Sequence, residues 1–266
     1  MKLAVDIGGT KVLVAIFEND TVINQYKFET PKNYLDFLEE FEKSLVNLKN
    51  YQIEIAAVAI PELINRETFE LLGGGNLKWQ NINIVSDLSS ILNCNVLLEN
   101  DANLAGLSEA SYLKDRFNRV LYLTISTGIG GGLVINQKLS SDNLNFEPGL
   151  IKLKHNNQLI EWEKFASGRA IVEQYHQYAK DINDPIIWQE IANNILDGLM
   201  VIIPLIQPQA IVFGGSVGTY FNKYKEFLQR GLDQTIESFL LKPVILQAIH
   251  PEEAVVYGCL ELINQV

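Results

Sequence analysis

Two stretches of this chain follow one pattern. Leu3-Ala-Val-Asp-Ile-Gly-Gly-Thr-Lys-Val-Leu-Val-Ala-Ile-Phe17 passes from an apolar strand through a polar residue and a glycine turn into a second apolar strand. Leu123-Thr-Ile-Ser-Thr-Gly-Ile-Gly-Gly-Gly-Leu-Val-Ile-Asn-Gln137 does the same. Strands apolar on both faces need neighbours on either side and a cover of helices, so the repeat predicts two α/β sheets built alike. Any two glycine hairpins look somewhat similar, but the strand pattern also restarts at Arg119–Ser126 after a helix, which favours duplication. With 266 residues and a prior of about 150 residues per domain, two halves fit the length. The expected division is residues 1–115 and 116–251, with a helix over 252–266 packed on the first half.

Periodicity supplies the remaining elements. Lys2–Ile7, Val12–Phe17 and Thr21–Phe28 read as an antiparallel meander broken by turns at Gly8-Gly9 and Asn19-Asp20. Leu35, Leu38, Phe41, Leu45 and Leu48 recur at helical spacing and predict a helix from Tyr34 to Leu48. A buried strand at Ile53–Ile60, a helix at Ser86–Asn93 and a strand at Asn95–Glu99 follow. In the second half, helices are expected at Gly168–Ala179, Ile186–Ile203, Tyr220–Phe239 and Glu252–Ile263, and strands at Ala210–Phe213 and Pro243–Ala248. The apolar run Leu199–Ile206 is interrupted by Pro204 and falls short of the ~20 residues a membrane span needs. Without a signal-peptide pattern after Met1-Lys2, a soluble, cytoplasmic protein is expected.

Charge and cysteine content narrow the function. Lys plus Arg number 21 against 32 Asp plus Glu, a formal net charge of −11, which disfavours nucleic-acid binding. The two cysteines, Cys94 and Cys259, form no Cys-x-x-Cys pair and have no histidine at ligand spacing, so no zinc site is expected. Both read as buried small hydrophobes. The tryptophans, Tyr112 and Tyr122 read as packing residues, and His176 and His250 as surface residues.

Three glycine clusters, Gly8-Gly9, Gly128–Gly132 and Gly214-Gly215, each follow an apolar strand. Such turns let backbone N–H groups approach phosphate oxygens, and Thr10, Lys11, Ser126 and Thr127 add hydroxyl and ammonium donors. Neither the P-loop nor the G-x-G-x-x-G motif is present. The strand Leu97-Leu98 ends in Glu99-Asn100-Asp101 before an amphipathic helix. Helix capping accounts for Asn100 and Asp101. Three polar residues closing an apolar strand also mark the end of a sheet where α/β folds bind ligands. At the first helical turn the macrodipole is expected to keep Asp101 ionised.

Asp6-Ile-Gly-Gly-Thr-Lys11, Glu99-Asn-Asp-Ala-Asn103, Thr127-Gly-Ile-Gly-Gly-Gly132 and Phe213-Gly-Gly215, in this order, resemble the signature of the ROK family of bacterial sugar kinases and related repressors. The resemblance implies two ribonuclease H-like (actin-like ATPase) α/β domains with a cleft between them, and ATP-dependent phosphorylation of a hexose or hexose derivative. It implies that Asp6, Gly8, Gly9, Thr10 and Lys11 form a first phosphate loop, with Asp6 near Mg²⁺. Thr127, Gly128 and Gly130 would form a second, and Gly214 and Gly215 would pack on adenosine. Asn76, Asn100, Asp101, Glu147 and Glu163 would bind sugar, with Asp101 as general base. A homodimer is implied as well.

The departures are specific. Leu150 stands where the family commonly has a histidine that binds zinc and sugar, and the cysteine-rich zinc loop is missing, with His155 the only imidazole nearby. Glu62, after Pro61, stands where the family usually has the glycine of a Pro-Gly step and is expected to face solvent. A non-catalytic sugar- or nucleotide-binding relative, or a sugar-responsive regulator lacking a DNA-binding domain, are the alternative readings.

Overall fold

The computed structural model describes residues 1–46, 51–73, 77–140, 145–249 and 253–266. By internal contacts the chain divides into two units. One comprises Met1–Ser108, Ser141–Asn145 and Glu253–Val266, the other Glu109–Ser140 and Phe146–Glu252.

The first unit contains β1 (Lys2–Ile7), β2 (Lys11–Glu18), β3 (Thr21–Glu29), α1 (Tyr34–Val46), β4 (Ile55–Ile60), β5 (Leu63–Ile64), β6 (Leu71–Gly73), α2 (Ile84–Leu92), β7 (Asn95–Asn100) and the start of α3 (Asp101–Ser111). Its sheet has the order β3-β2-β1-β4-β7. The meander pairs are antiparallel, whereas β1–β4 and β4–β7 are parallel.

The second unit contains β8 (Arg119–Ile125), β9 (Ile129–Ile135), β10 (Lys138–Leu139), β11 (Lys152–His155), β12 (Gln158–Glu161), α4 (Glu163–Ala166), α5 (Gly168–Tyr175), α6 (Pro185–Ile206), β13 (Ala210–Gly214), α7 (Gly215–Gly218), α8 (Phe221–Thr235) and β14 (Val244–Gln247). Its sheet, β10-β9-β8-β13-β14, repeats the order and strand senses of the first. The internal repeat read from the sequence is therefore a repeat of topology.

Strand alternation decides which residues meet in the first unit. Leu3, Val5 and Ile7 of β1 point to a core with Phe37 and Phe41 of α1, Leu88 of α2 and Trp79. Ala4 points the other way, with Ala57 and Ala59 of β4, onto Leu104 of α3 and onto Val256, Cys259 and Leu260 of α9 (Ala254–Ile263). This second face is lined by small residues, which lets two helices approach closely. Asp6 shares the parity of Ala4, so its carboxylate lies on the face of α3 and α9.

In the second unit Leu121, Leu123 and Ile125 of β8 and Ile211 and Phe213 of β13 pack against α6 and α8 through Trp188, Ile195, Leu199, Tyr224 and Leu228. Pro204 does not end α6, in contrast to the sequence expectation. Pro204 forgoes an N–H, but Ile202 and Ile203 are buried at that turn and hold it. The helix closes two residues later, with Gln207 left-handed at φ 44°. At 22 residues, α6 is the one helix among the described residues long and apolar enough to cross a bilayer, and its apolar stripe is part of the core.

Other boundaries also move. The helix expected to reach Ala179 stops at Tyr175 with His176 left-handed, and the one expected to reach Phe239 stops at Thr235. Leu48, His250 and Glu252 lie outside the described residues. Trp79, Trp162, Trp188 and Tyr122 are packed in the core, as expected, whereas Tyr112 is half-exposed. Cys259 is buried, Cys94 only partly, and both are free thiols.

Candidate active site

In the first unit the parallel strands deliver polar residues to one end of the sheet. Register pairs Asp6 with Ala59 and Ala59 with Glu99, so β1, β4 and β7 finish together. Asp6 is pushed up to about 7 by burial and by the neighbouring charge of Asp101. Asp101, the first residue of α3, is also raised, and burial is the dominant cause. The N–H of Ala102 donates to Asp101 Oδ1 at 2.7 Å and opposes that rise. Desolvation outweighs the first-turn amides that favour the ionised form, so Asp101 holds a proton more readily than an ordinary carboxylate. Asn100 is the residue that caps the helix, its Oδ1 accepting from the N–H groups of Ala102 (2.9 Å) and Asn103 (3.3 Å).

Glu99 does not face solvent. Arg66, between β5 and β6, donates to both its oxygens at 2.7 Å, and Glu99 Oε1 also accepts from the Asn100 N–H (2.7 Å) and Asn103 Nδ2 (2.9 Å). Glu62 is 1% exposed, and its carboxylate accepts the Leu77 N–H at 2.7 Å. The solvent-facing expectation for Glu62 is wrong, since a backbone donor compensates its burial. Asn76 lies outside the described residues.

The turn of the first hairpin is held by the Gly8 N–H donating to the Lys11 carbonyl (2.9 Å) and by Thr30 Oγ1 donating to the Gly8 carbonyl (2.6 Å). Gly9, Thr10 and Lys11 are exposed at its tip. Gly8 sits in a tight place, since a Cβ would lie 3.0 Å from the Lys11 carbonyl oxygen.

In the second unit a cavity of about 890 Å³ opens at the end of β8. Thr124, Ser126, Thr127, Ser216 and Thr219 give it hydroxyls, Arg169 and Lys180 positive charge, and Tyr178 and Tyr220 aromatic surface. No carboxylate is among its described lining residues. Two glycines close its floor. The Gly168 N–H donates to the Ser126 carbonyl at 2.6 Å, and Gly215 has φ +77° with its Cα against Ile125 and Thr124. Thr127 and Gly215 thus line the cavity, while Gly128, Gly130 and Gly214 do not. Gly130 pairs with Thr124 in the sheet, and Gly214 backs onto the Tyr122 ring. Positive φ occurs only at Gly215 within the three glycine clusters, whereas Gly8, Gly128, Gly131 and Gly214 sit where neighbouring atoms approach closely.

Gly128 leaves room for Glu163, whose Oε2 accepts the Ile129 N–H at 3.4 Å. Glu163 also lies 3.5 Å from Lys164 Nζ. Glu147 stands at the start of the one-turn helix Pro148–Leu150. Asp6, Asn100 and Asp101 are brought together in the first unit; Glu147 and Glu163 belong to the second. Leu150 is half-exposed, and His155 stacks on Phe165 at 4.2 Å. Among the described residues no group of three His, Cys, Asp or Glu is arranged to hold a metal ion. Sequence reasoning missed Arg169, Tyr178 and Lys180, which carry no motif. The Ser167-Gly168 step before an amphipathic helix was the available signal, as Ser167 Oγ caps α5 by accepting from the Ala170 N–H at 3.2 Å.

Comparison with known proteins places this geometry in a wider set. The family model described as "ROK family" matches residues 2–266. An N-acetyl-D-glucosamine kinase of Mannheimia succiniciproducens is 29% identical over 97% of each chain. A solved ROK family protein from Streptococcus pneumoniae TIGR4, in complex with sucrose, superposes with a TM-score of 0.83 at 26% identity, covering 99% of this chain and 98% of the other. A ROK family glucokinase from Streptomyces griseus, in complex with glucose and AMPPNP, gives 0.82 at 20% identity over 100% and 99%, a likeness of fold.

Proposed function

Because this chain belongs to the ROK family, we propose that it catalyses ATP-dependent phosphorylation of a hexose or hexose derivative, with Asp101 as general base. The observation that carries the reading is the pairing of Asp6 and Asp101 at the end of the first sheet, both carboxyls raised above their ordinary range chiefly by desolvation. A carboxylate whose affinity for a proton is raised by burial is suited to accept one from a sugar hydroxyl near neutral pH.

The chemistry is simple in outline. A sugar hydroxyl oxygen attacks the γ-phosphorus, the bond to the β-phosphate oxygen breaks, ADP leaves, and the hydroxyl proton passes to Asp101. Asn100 presents its side-chain amide beside Asp101 to sugar hydroxyls, and Glu147, Glu163 and Asn76 are the further sugar contacts implied by the family pattern. Gly8, Gly9, Thr10 and Lys11 would form the phosphate-facing turn of the first unit; in the second, Thr127 would face the phosphates, with Gly128 in the turn behind it and Gly130 paired in β9.

The cavity of the second unit suits the nucleotide. Its volume of about 890 Å³ lies in the range of ligand sites. Arg169 and Lys180 offset locally the −11 charge that repels a polyanion at distance. Gly215 would border the adenosine, with Gly214 packed behind it on the Tyr122 ring. Mg²⁺ fits the donor set, because two desolvated carboxylates, one raised by the charge of the other, would be relieved by a divalent cation. Asp6 would hold it, directly or through water, and the ion would neutralise charge on the phosphates.

The decisive assay is purified protein with Mg·ATP and glucose, mannose, fructose, N-acetylglucosamine or N-acetylmannosamine, following ADP release, with a parallel series using polyphosphate as donor. ADP formation dependent on one of these sugars is expected. Sugar binding without ADP release would instead favour the non-catalytic reading. Asp101→Asn should retain sugar binding while turnover falls by ~10²-fold or more. Turnover close to wild type in that variant would overturn the role of Asp101.

A further inference from the structure

We propose that Arg66 is a positioning residue for the sugar-phosphorylating end of the first unit, acting through Glu99 to fix the turn that presents Asn100 and Asp101. The inference rests on the sugar-kinase reading above and adds to it a residue outside the motifs that carry that reading.

Glu99 receives four hydrogen bonds. Two come from Arg66 Nη1 and Nη2 at 2.7 Å, one from the Asn100 N–H at 2.7 Å and one from Asn103 Nδ2 at 2.9 Å. With its acceptor capacity engaged by protein groups, Glu99 holds the last residue of β7 and the first turn of α3 in one arrangement. Arg66 supplies the only side-chain cation in that set. A bidentate guanidinium–carboxylate pair fixes angle as well as distance, which a single lysine contact does not.

The pair is nearly dry, with side-chain exposures of 13% and 12%, and the Arg66 Nε atom is buried with no hydrogen-bond partner. Burial of an ion pair is a weak source of stability, and an unmet donor subtracts from it. What such a pair does supply is a fixed geometry, here immediately beside Asn100 and Asp101.

The test compares Arg66→Met, Arg66→Lys, Glu99→Gln and the double variant Arg66→Met/Glu99→Gln in steady-state kinetics and thermal unfolding, with sugar affinity measured separately by calorimetry. Arg66→Met and Glu99→Gln should each lower kcat/KM for the sugar by about 10- to 100-fold, the scale of a misplaced catalytic group, while KM for ATP changes less than about twofold. Arg66→Lys should keep more of the activity than Arg66→Met. The double variant, which leaves no unpaired buried charge, should melt near the wild type yet remain impaired with sugar. Wild-type kinetics in the double variant, or equal losses toward sugar and ATP, would overturn the proposal. A wild-type protein that neither binds nor phosphorylates any of the sugars would overturn the sugar-kinase reading and this inference with it. An active wild type with unaltered variants would overturn the role of Arg66 alone.

Discussion

The Tyr224 hydroxyl lies in the core of the second unit, buried with no hydrogen-bond partner, and burial pushes it far above its ordinary pKa. The ring is well used, packing on Trp188 at 5.9 Å and edge-on to Phe221 at 5.4 Å. Only the oxygen is a cost. Tyr224→Phe should therefore stabilise the protein by about 1 kcal/mol, a rise in melting temperature of roughly 2–4 °C by thermal denaturation. A lower melting temperature would show that the hydroxyl is satisfied in solution. The same balance of burial and hydrogen bonding explains which single residues could be read from sequence. Asn100 is a helix cap, a role its type and position announce. Glu62 is not legible in this way, because a donor that compensates its burial, the Leu77 N–H, lies 15 residues along the chain. For Asp101 the local effect, the helix start, was visible and the larger opposing effect, desolvation by the surrounding fold, was not.

Among the elements, long apolar strands declared themselves. β1, β2, β4, β8 and β13 are buried along most of their length, and burial on both faces leaves a continuous apolar run. The pairs β5–β6 and β11–β12 have two to four residues per strand and no such run, so pattern could not find them. Helix ends were missed for a related reason, since a period continues through residues whose caps or packing stop or extend the helix, as at His176 and Pro204. The contact between α3 and α9 is closest at Gly258, where a Cβ would run into the backbone carbonyl of Leu104. Neither helix can yield by rotating a side chain. Gly258→Ala should thus cost about 1–3 kcal/mol in urea unfolding, the usual range for overpacking. Unchanged stability would mean that α9 shifts freely along the sheet.

At the scale of the whole molecule, stability is linked to pH through Asp6. Its folded pKa of about 7 stands above the ordinary 3.8 of an exposed aspartate, so between roughly pH 4 and 7 the folded state binds more protons than the unfolded chain. This group therefore withdraws stability as pH rises through that window, and the full penalty persists above it. In the absence of Mg²⁺, the stability of Asp6→Asn relative to wild type should grow from pH 5 to pH 7 and level off by pH 8. Parallel denaturation profiles for the two proteins would contradict the shift. The duplicated architecture was legible at this scale because both halves repeat one strand pattern. The cavity of the second unit was less so, since Arg169, Tyr178 and Lys180 converge from α5 and the segment after it only once the chain has folded.

The position of α9 has a consequence for synthesis. A nascent chain that has just completed β14 contains every strand and helix of the second unit, yet the first unit, begun much earlier, still lacks the helix that covers Ala4, Ala57 and Ala59. Until α9 follows, that alanine face has only Leu104 of α3 against it, so the surface beside Asp6 is completed by the last helix to be made.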